Sequence, residues 1–341
     1  RKFINEKRLF IGPFYCLVDE FLTDGVCFRK NLEIGLKIAK DFGCEDFIGY
    51  LADTFGHSQN VPKILKEYGI NKAVAWRGIG DLPSEFIFNG INTVNMVRGY
   101  FMDIFSFKMS LNEKAEWLKK NLDMIKEKSG DYILLPIGAD HLGVETDIAE
   151  QIHEINKLIP YKIVLGSLFD YFDKVEFKEK FDGELRDNSK TFILNGCYSA
   201  RTKLKQYNTK CSYMLEQADN IQKRYGSKYD KVIEYAYKML LSNQAHDSIC
   251  GCSTDLVHQE NIIRYKKILQ IANTIIEELR LEHHFETPLI QSKEIIDGYE
   301  VVEKYEGFEN SLLYDTQKIP VTEDYTTLYT LKKKSKKILV S

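Results

Sequence analysis

The 341-residue chain contains no run of about 18 apolar residues, so no segment has the length and character of a membrane-spanning helix. It also lacks an excess of either charge. Its 47 basic and 50 acidic residues leave a formal net charge of -3, which gives no electrostatic case for nucleic acid or an anionic membrane as partner. Its seven cysteines include no C-x-x-C pair. A disulfide framework and a four-cysteine zinc site are therefore not indicated, and a reducing compartment, read as cytoplasmic, is the simpler assignment. No internal repeat or low-complexity segment occurs.

What is present is enough apolar material, 44% of residues, for a sizeable core. The length fits about two domains. In the first half, strand-like and helix-like segments alternate. Residues 28–42 have helical spacing, and residues 47–52 form a short apolar run that stops at Asp53. Val61, Ile64, Leu65 and Tyr68 then fall at i, i+3, i+4 and i+7, with Pro62 in the first turn and Gly69 closing the helix. Residues 73–76 read as the next strand. Ser110 is placed to cap a helix running to about Gly130, and residues 132–137 read as a buried strand ending at Gly138, Ala139 and Asp140. Ile148, Ile152, Ile155 and Ile159 mark a further helix, with residues 161–165 as the strand after it. Repeated strand, loop, helix units predict a parallel sheet with helical cover, either an irregular barrel or an open sheet.

From about residue 209 to 285 the pattern is helical, with breaks near 225–227 and at Gly251. Tyr265, Ile268, Ala272, Ile275 and Leu279 form a stripe of the kind that faces a bundle. The fold class expected is α/β followed by all-α. The expected domains are a barrel-like catalytic unit over 1–183, with the changeover near Gly183, a helical bundle over 184–290, and a linker or the start of a β-rich domain over 291–341.

Ligands of parallel α/β domains bind at the carboxyl ends of the strands, where the pattern puts Asp53, Asp140 and Arg77. Paired carboxylates at one rim suit glycosidic bond cleavage: one attacks the anomeric carbon while a protonated partner supports the leaving group. An arginine beside the nucleophile holds it ionised and oriented. An aspartate and a histidine such as His246 are ordinary zinc ligands, although two ligands do not close a site.

Blander readings compete for each residue. An aspartate after a strand can simply cap a helix, and His141 competes with Asp140 for the acid role. His57 fits a structural hydrogen bond to the backbone at least as well as metal ligation. The Cys250-x-Cys252 pair reads as a turn between helices, and His283 with His284 as a solvated face. Trp76 and Tyr50 fit either a sugar subsite or the core.

Several separated motifs, in one order, resemble the glycoside hydrolase family 38 α-mannosidases. They are Asp53-Thr-Phe-Gly-His-Ser, Pro62 with Ile64-Leu65, Arg77, Gly138-Ala-Asp140, Ser199-Ala-Arg201 with Lys205-Gln206, and Gln244-Ala-His-Asp-Ser-Ile-Cys-Gly251. The resemblance spans Gly12 to about Glu282 and is closest to bacterial members. It implies a retaining, exo-acting α-mannosidase that works through a glycosyl-enzyme intermediate. Asp53 matches the nucleophile, which also ligates zinc, and Asp140 the general acid/base. His246 matches the downstream zinc ligand, Asp247 a residue contacting sugar hydroxyls, and Arg77 the arginine beside the nucleophile. The two carboxyl groups of such an enzyme should lie about 5 to 5.5 Å apart.

One zinc ion is implied, with two further ligands from a His-x-Asp motif upstream of the region that aligns with Phe14 and Tyr15. No histidine precedes His57. The natural chain is accordingly expected to start before Arg1, and the piece in hand to bind zinc weakly. An α-mannoside or oligosaccharide is the implied substrate, and assembly into homo-oligomers is compatible with the family. The alternatives are a mannosylglycerate hydrolase of the same family, a metal-dependent carbohydrate deacetylase, and a non-catalytic carbohydrate-binding fragment.

Overall fold

In the computed structural model, which describes residues 1–100, 103–284, 290–292, 299–306 and 327–333, the chain forms two units. The first comprises Arg1–Leu17 and Leu32–Asn195, the second Val18–Asn31 and Gly196–Ser341. The short helix α1 (Lys2–Asn5) opens the chain, and helix α2 (Gly25–Phe42) begins within the second unit's segment and continues into the first.

The first unit is built on a five-stranded sheet of β1 (Gly49–Leu51), β2 (Lys72–Ala75), β3 (Glu85–Phe88), β4 (Ile91–Asn95) and β5 (Glu179–Phe181). Their spatial order is β1-β2-β4-β3-β5. The strands β1, β2 and β4 run parallel, β3 returns as a hairpin antiparallel to β4, and β5 lies parallel to β3. The apolar runs that signalled β1 and β2 are buried because the sheet is covered on both faces. Ile48, Ala52, Val74, Val94 and Met96 pack with Tyr171 and Phe172, whereas Ala75, Ile79, Phe86, Phe88 and Leu185 form a separate cluster.

Helix α3 (Val61–Glu67) carries Pro62 in its first turn and is followed by Gly69 at positive φ, as the spacing predicts. Helix α4 (Leu111–Lys126) starts from a capping box in which Ser110 and Glu113 satisfy each other's backbone N–H groups. With α5 (Ile148–Ile155) it buries Leu118, Leu122, Ile152 and Ile155. A short helix, α6 (Leu168–Phe172), supplies Tyr171 and Phe172 to the sheet.

Residues 132–137 and 161–165 are not strands, contrary to expectation. Both lie outside the sheet, and Tyr132, Ile137, Val164 and Leu165 stay exposed. Their apolar character is spent on a helical cluster, which Ile133, Leu135 and Ile163 join. The backbone of Ile163 is satisfied by the Asn156 side chain, which donates to its carbonyl at 2.9 Å and accepts from its N–H at 2.7 Å. The changeover also lies later than Gly183. Leu185 bridges to His57 and Asp187 to Gly78, so the chain stays with the first unit until Asn195.

The second unit is helical as expected, with α7 (Thr202–Arg224), α8 (Asp230–Gln244), α9 (His246–Cys250) and α10 (Asp255–His283). The predicted stripe of α10 is its buried face: Tyr265, Ile268, Ala272, Ile275 and Leu279 are each at most 3% exposed. Tyr207 of α7 stacks on Tyr265, ring centroids 5.8 Å apart. Strands β6 (Ile290–Ser292), β7 (Tyr299–Glu306) and β8 (Thr327–Lys333) form an antiparallel sheet in the order β6-β8-β7. The rest of the region expected to be β-rich lies outside the described residues. No helix among the described residues is long and apolar enough to cross a membrane.

Candidate active site

The register of the parallel pair creates the site. Leu51 of β1 lies opposite Ala75 of β2, so two residues further along each chain Asp53 and Arg77 emerge side by side at the carboxyl end of the sheet. Arg77 Nε donates a short hydrogen bond to Asp53 Oδ1, and its Nη1 donates to the Phe192 carbonyl at 2.8 Å. The guanidinium is sandwiched by aromatic faces, 4.3 Å from the Trp76 ring centroid and 5.4 Å from that of Phe55. Both side chains of the ion pair are largely shielded, at 14% and 15% exposure. Held at three points, Arg77 fixes one oxygen of Asp53.

The other oxygen is fixed by Tyr100, which sequence reasoning missed. Its hydroxyl donates to Asp53 Oδ2 at 2.8 Å and reaches Asp140 Oδ2 at 3.5 Å. Tyr100 stands edge-on to Trp76, centroids 5.4 Å apart. That packing needs Gly99, whose φ is +69° and where a Cβ would sit 2.6 Å from the indole ring. Burial, then the Asp53 hydrogen bond and the charges of Asp53 and Asp140, push the Tyr100 hydroxyl above its ordinary value. It therefore stays protonated and remains a donor throughout the neutral range. No spacing or motif marks a Gly-Tyr pair as a site element, because its role depends on the loop returning over Trp76.

Asp140 is brought to the group on an exposed turn instead of a strand end. His141 beside it is exposed and sits at positive φ. His57 is buried, its Nδ1 lies 3.2 Å from Thr54 Oγ1, and its backbone pairs twice with Leu185. Tyr50 belongs to a different feature, a cleft of about 610 Å³ that it lines with Phe10, Ile48 and Phe169. None of Asp53, Arg77, Tyr100 and Asp140 lines that cleft.

His246 and Asp247 lie in the second unit, at the start of α9, where Ala245 at ψ 136° breaks the helix that precedes them. Ala245 forms an antiparallel bridge with Val18. His246 Nε2 is 4.0 Å from Asp247 Oδ1, and the Cys252 thiol lies 3.2 Å from the same oxygen. The Cys250 to Cys252 stretch is the expected turn, with Gly251 left-handed at φ +85°. His283 and His284 are exposed, in line with a solvated face, and His283 stacks on the partly exposed Tyr225 ring with centroids 4.0 Å apart.

A zinc site is not assembled among the described residues: no three or more His, Cys, Asp or Glu side chains converge to hold a metal ion. Asp53 already has one oxygen on Arg77 and the other on Tyr100. Among the described residues the ligand set for such an ion is therefore incomplete.

A phenol shared by two carboxylates, one of them clamped by arginine at the end of a parallel strand pair, is an arrangement that acid/base hydrolysis could use. Residues 1–209 match the family model described as the glycosyl hydrolases family 38 N-terminal domain, and residues 193–280 match the alpha mannosidase middle domain. The chain belongs to glycosyl hydrolase family 38.

It is 32% identical over 310 residues to the "Putative mannosylglycerate hydrolase" of Halalkalibacterium halodurans, covering 82% of this chain and 34% of that protein. To human "Alpha-mannosidase 2C1" it is 21% identical over 287 residues, 78% of this chain and 27% of that one. The crystal structure of an alpha-mannosidase from Enterococcus faecalis V583 superposes with a TM-score of 0.74 at 25% identity, covering 90% of this chain and 39% of the other. The chain thus spans about a third or less of the length of the curated relatives it matches.

Proposed function

We propose that this chain carries the nucleophile and the acid/base of a retaining, exo-acting α-mannosidase. The observation that carries the reading is the single hydroxyl of Tyr100 reaching both carboxylates, at 2.8 and 3.5 Å. Two oxygens within those distances of one atom cannot be as far apart as the roughly 6.5 Å at which inverting geometry begins. That bound supports the double-displacement course.

In the first step an Asp53 oxygen bonds to the anomeric carbon as the glycosidic C–O bond breaks, and Asp140 gives its proton to the departing oxygen. In the second, Asp140 takes a proton from water, whose oxygen displaces Asp53 and restores the anomeric configuration. Arg77 and Tyr100 keep the Asp53 carboxylate oriented through both steps. Asp247 is read as a sugar-hydroxyl contact on the family resemblance.

Zinc belongs to this proposal only through the resemblance, with Asp53 and His246 each assigned as a ligand; when bound it would engage vicinal mannose hydroxyls. The protein is also read as cytoplasmic, in keeping with seven cysteines that are all free, and as capable of homo-oligomeric assembly. The name of the Halalkalibacterium relative favours a small mannosyl glycoside such as mannosylglycerate as the second reading of the substrate.

The test is hydrolysis of an aryl α-mannoside and of mannosylglycerate by the zinc-supplemented full-length protein, wild type and Asp53→Ala, both shown to be folded. Turnover of either substrate that collapses by about a thousandfold or more in the variant is expected. A folded wild type that cleaves neither, while releasing acetate from N-acetylated sugars or binding mannosides without turnover, would replace this reading with the deacetylase or the binding module.

A further inference from the structure

The stretch from Asp247 to Cys252 folds back on itself, and the reversal has a product that the turn alone does not need. Helix α9 ends at Cys250, and Gly251 in the left-handed region sends its N–H back to the carbonyls of Asp247 and Ser248, at 3.3 Å each. This brings Cys252 Sγ to 3.2 Å from Asp247 Oδ1 and 3.6 Å from the Asp247 carbonyl.

The frame around the turn is fixed from several sides. Arg201 donates from Nε to the Gly251 carbonyl at 3.0 Å and pairs with Asp255 at 2.7 Å. The Cys250 carbonyl accepts from Lys205 Nζ at 3.2 Å, and the Cys250 thiol donates to the buried Asp19 at 3.4 Å. At 4.0 Å, His246 Nε2 is beyond hydrogen-bonding distance of Asp247 Oδ1.

We propose that Cys252 is a positioning residue: its thiol holds the Asp247 carboxylate in the orientation that meets a sugar hydroxyl. The inference rests on the reading of Asp247 as a sugar contact. With a side chain 62% exposed, an unrestrained Asp247 would sample several rotamers, and ordering it would weaken binding. Burial and the Asp247 carboxylate push the Cys252 thiol up to about 12, so it keeps its proton and remains a donor.

Two readouts on the full-length, zinc-supplemented protein test this. With 4-nitrophenyl α-mannoside, Cys252→Ala is expected to raise KM about fivefold with kcat within about twofold, the size of one modest hydrogen bond. Cys252→Ser, which keeps a donor, recovers most of the loss. In an Asp247→Ala background, Cys252→Ala adds nothing.

Independently of turnover, alkylation of Cys252 by iodoacetamide at one mildly alkaline pH, followed by peptide mass spectrometry, should run several-fold faster in Asp247→Ala. An unchanged KM in Cys252→Ala beside a raised one in Asp247→Ala overturns the positioning role alone. An unchanged KM in Asp247→Ala overturns the sugar-contact reading with it, and labelling that ignores the Asp247 substitution removes the contact itself.

Discussion

Replacing Tyr100 with phenylalanine removes one oxygen and leaves the ring against Trp76. The atom lost donates to Asp53 at 2.8 Å, a charge-assisted bond of a kind worth about 1.5 to 3 kcal/mol. The contact to Asp140 at 3.5 Å is too long to add much. Its effect depends on where the charge sits along the reaction. Asp53 is a carboxylate in the free enzyme and a neutral ester in the intermediate, so the donor stabilises the first more than the second. Without it the intermediate becomes relatively deeper, and its hydrolysis becomes the slow step.

If about half of the bond is felt at that transition state, kcat falls roughly four- to thirteenfold. Because the free enzyme loses the whole bond and the first transition state about half of it, kcat/KM does not fall, and KM drops with kcat. Stopped-flow release of nitrophenol should show a burst that wild type lacks. An unchanged kcat, or equal losses in kcat and kcat/KM without a burst, would refute the assignment of Tyr100 to the Asp53 carboxylate as a leaving group.

Gly99→Ala places a Cβ 2.6 Å from the Trp76 ring at a φ that alanine resists, so both the thermal midpoint and kcat should drop, by several degrees and about tenfold or more. A variant as stable and active as wild type would show that the Trp76 packing does not hold Tyr100. In the second unit, burial raises Asp19 from 3.8 to about 6, against the opposing hydrogen bonds from Leu22, Cys250 and Phe21. Between about pH 4 and 6 the folded state therefore holds a proton that the unfolded state has released. The Asp19 contribution to stability is full below about pH 4 and is lost as pH rises through about 6. Urea midpoints of wild type and Asp19→Asn, compared across that window, should diverge with rising pH in favour of the asparagine variant; parallel profiles would contradict the buried-carboxylate account.

The elements that were legible in the sequence are those set by local periodicity. The α10 stripe from Tyr265 to Leu279 and the Ser110 cap are properties of one helix, and the structure uses them as written. The adjacency of Asp53 and Arg77 was legible because each follows a short apolar strand by the same offset, which a parallel register brings side by side. Residues 132–137 and 161–165 were misread because an apolar run does not say whether its partner is a strand or a helical cluster. Asp140 was expected at the end of a strand, but it arrives on a turn. The contacts of Tyr100 with Asp53 and of Cys252 with Asp247 were not legible, since each is made only through a left-handed glycine and a loop closed by distant packing.

The central claim is that Asp53 becomes covalently bonded to the sugar, and trapping that bond tests it most directly. The zinc-supplemented full-length protein would be incubated with a fluorinated mannosyl fluoride, which forms the intermediate faster than water clears it, then digested and mapped by mass spectrometry. The account predicts a single mannosyl adduct on the peptide containing Asp53, absent in Asp53→Ala. An adduct on another carboxylate, or none in an enzyme that cleaves α-mannosides, would contradict it.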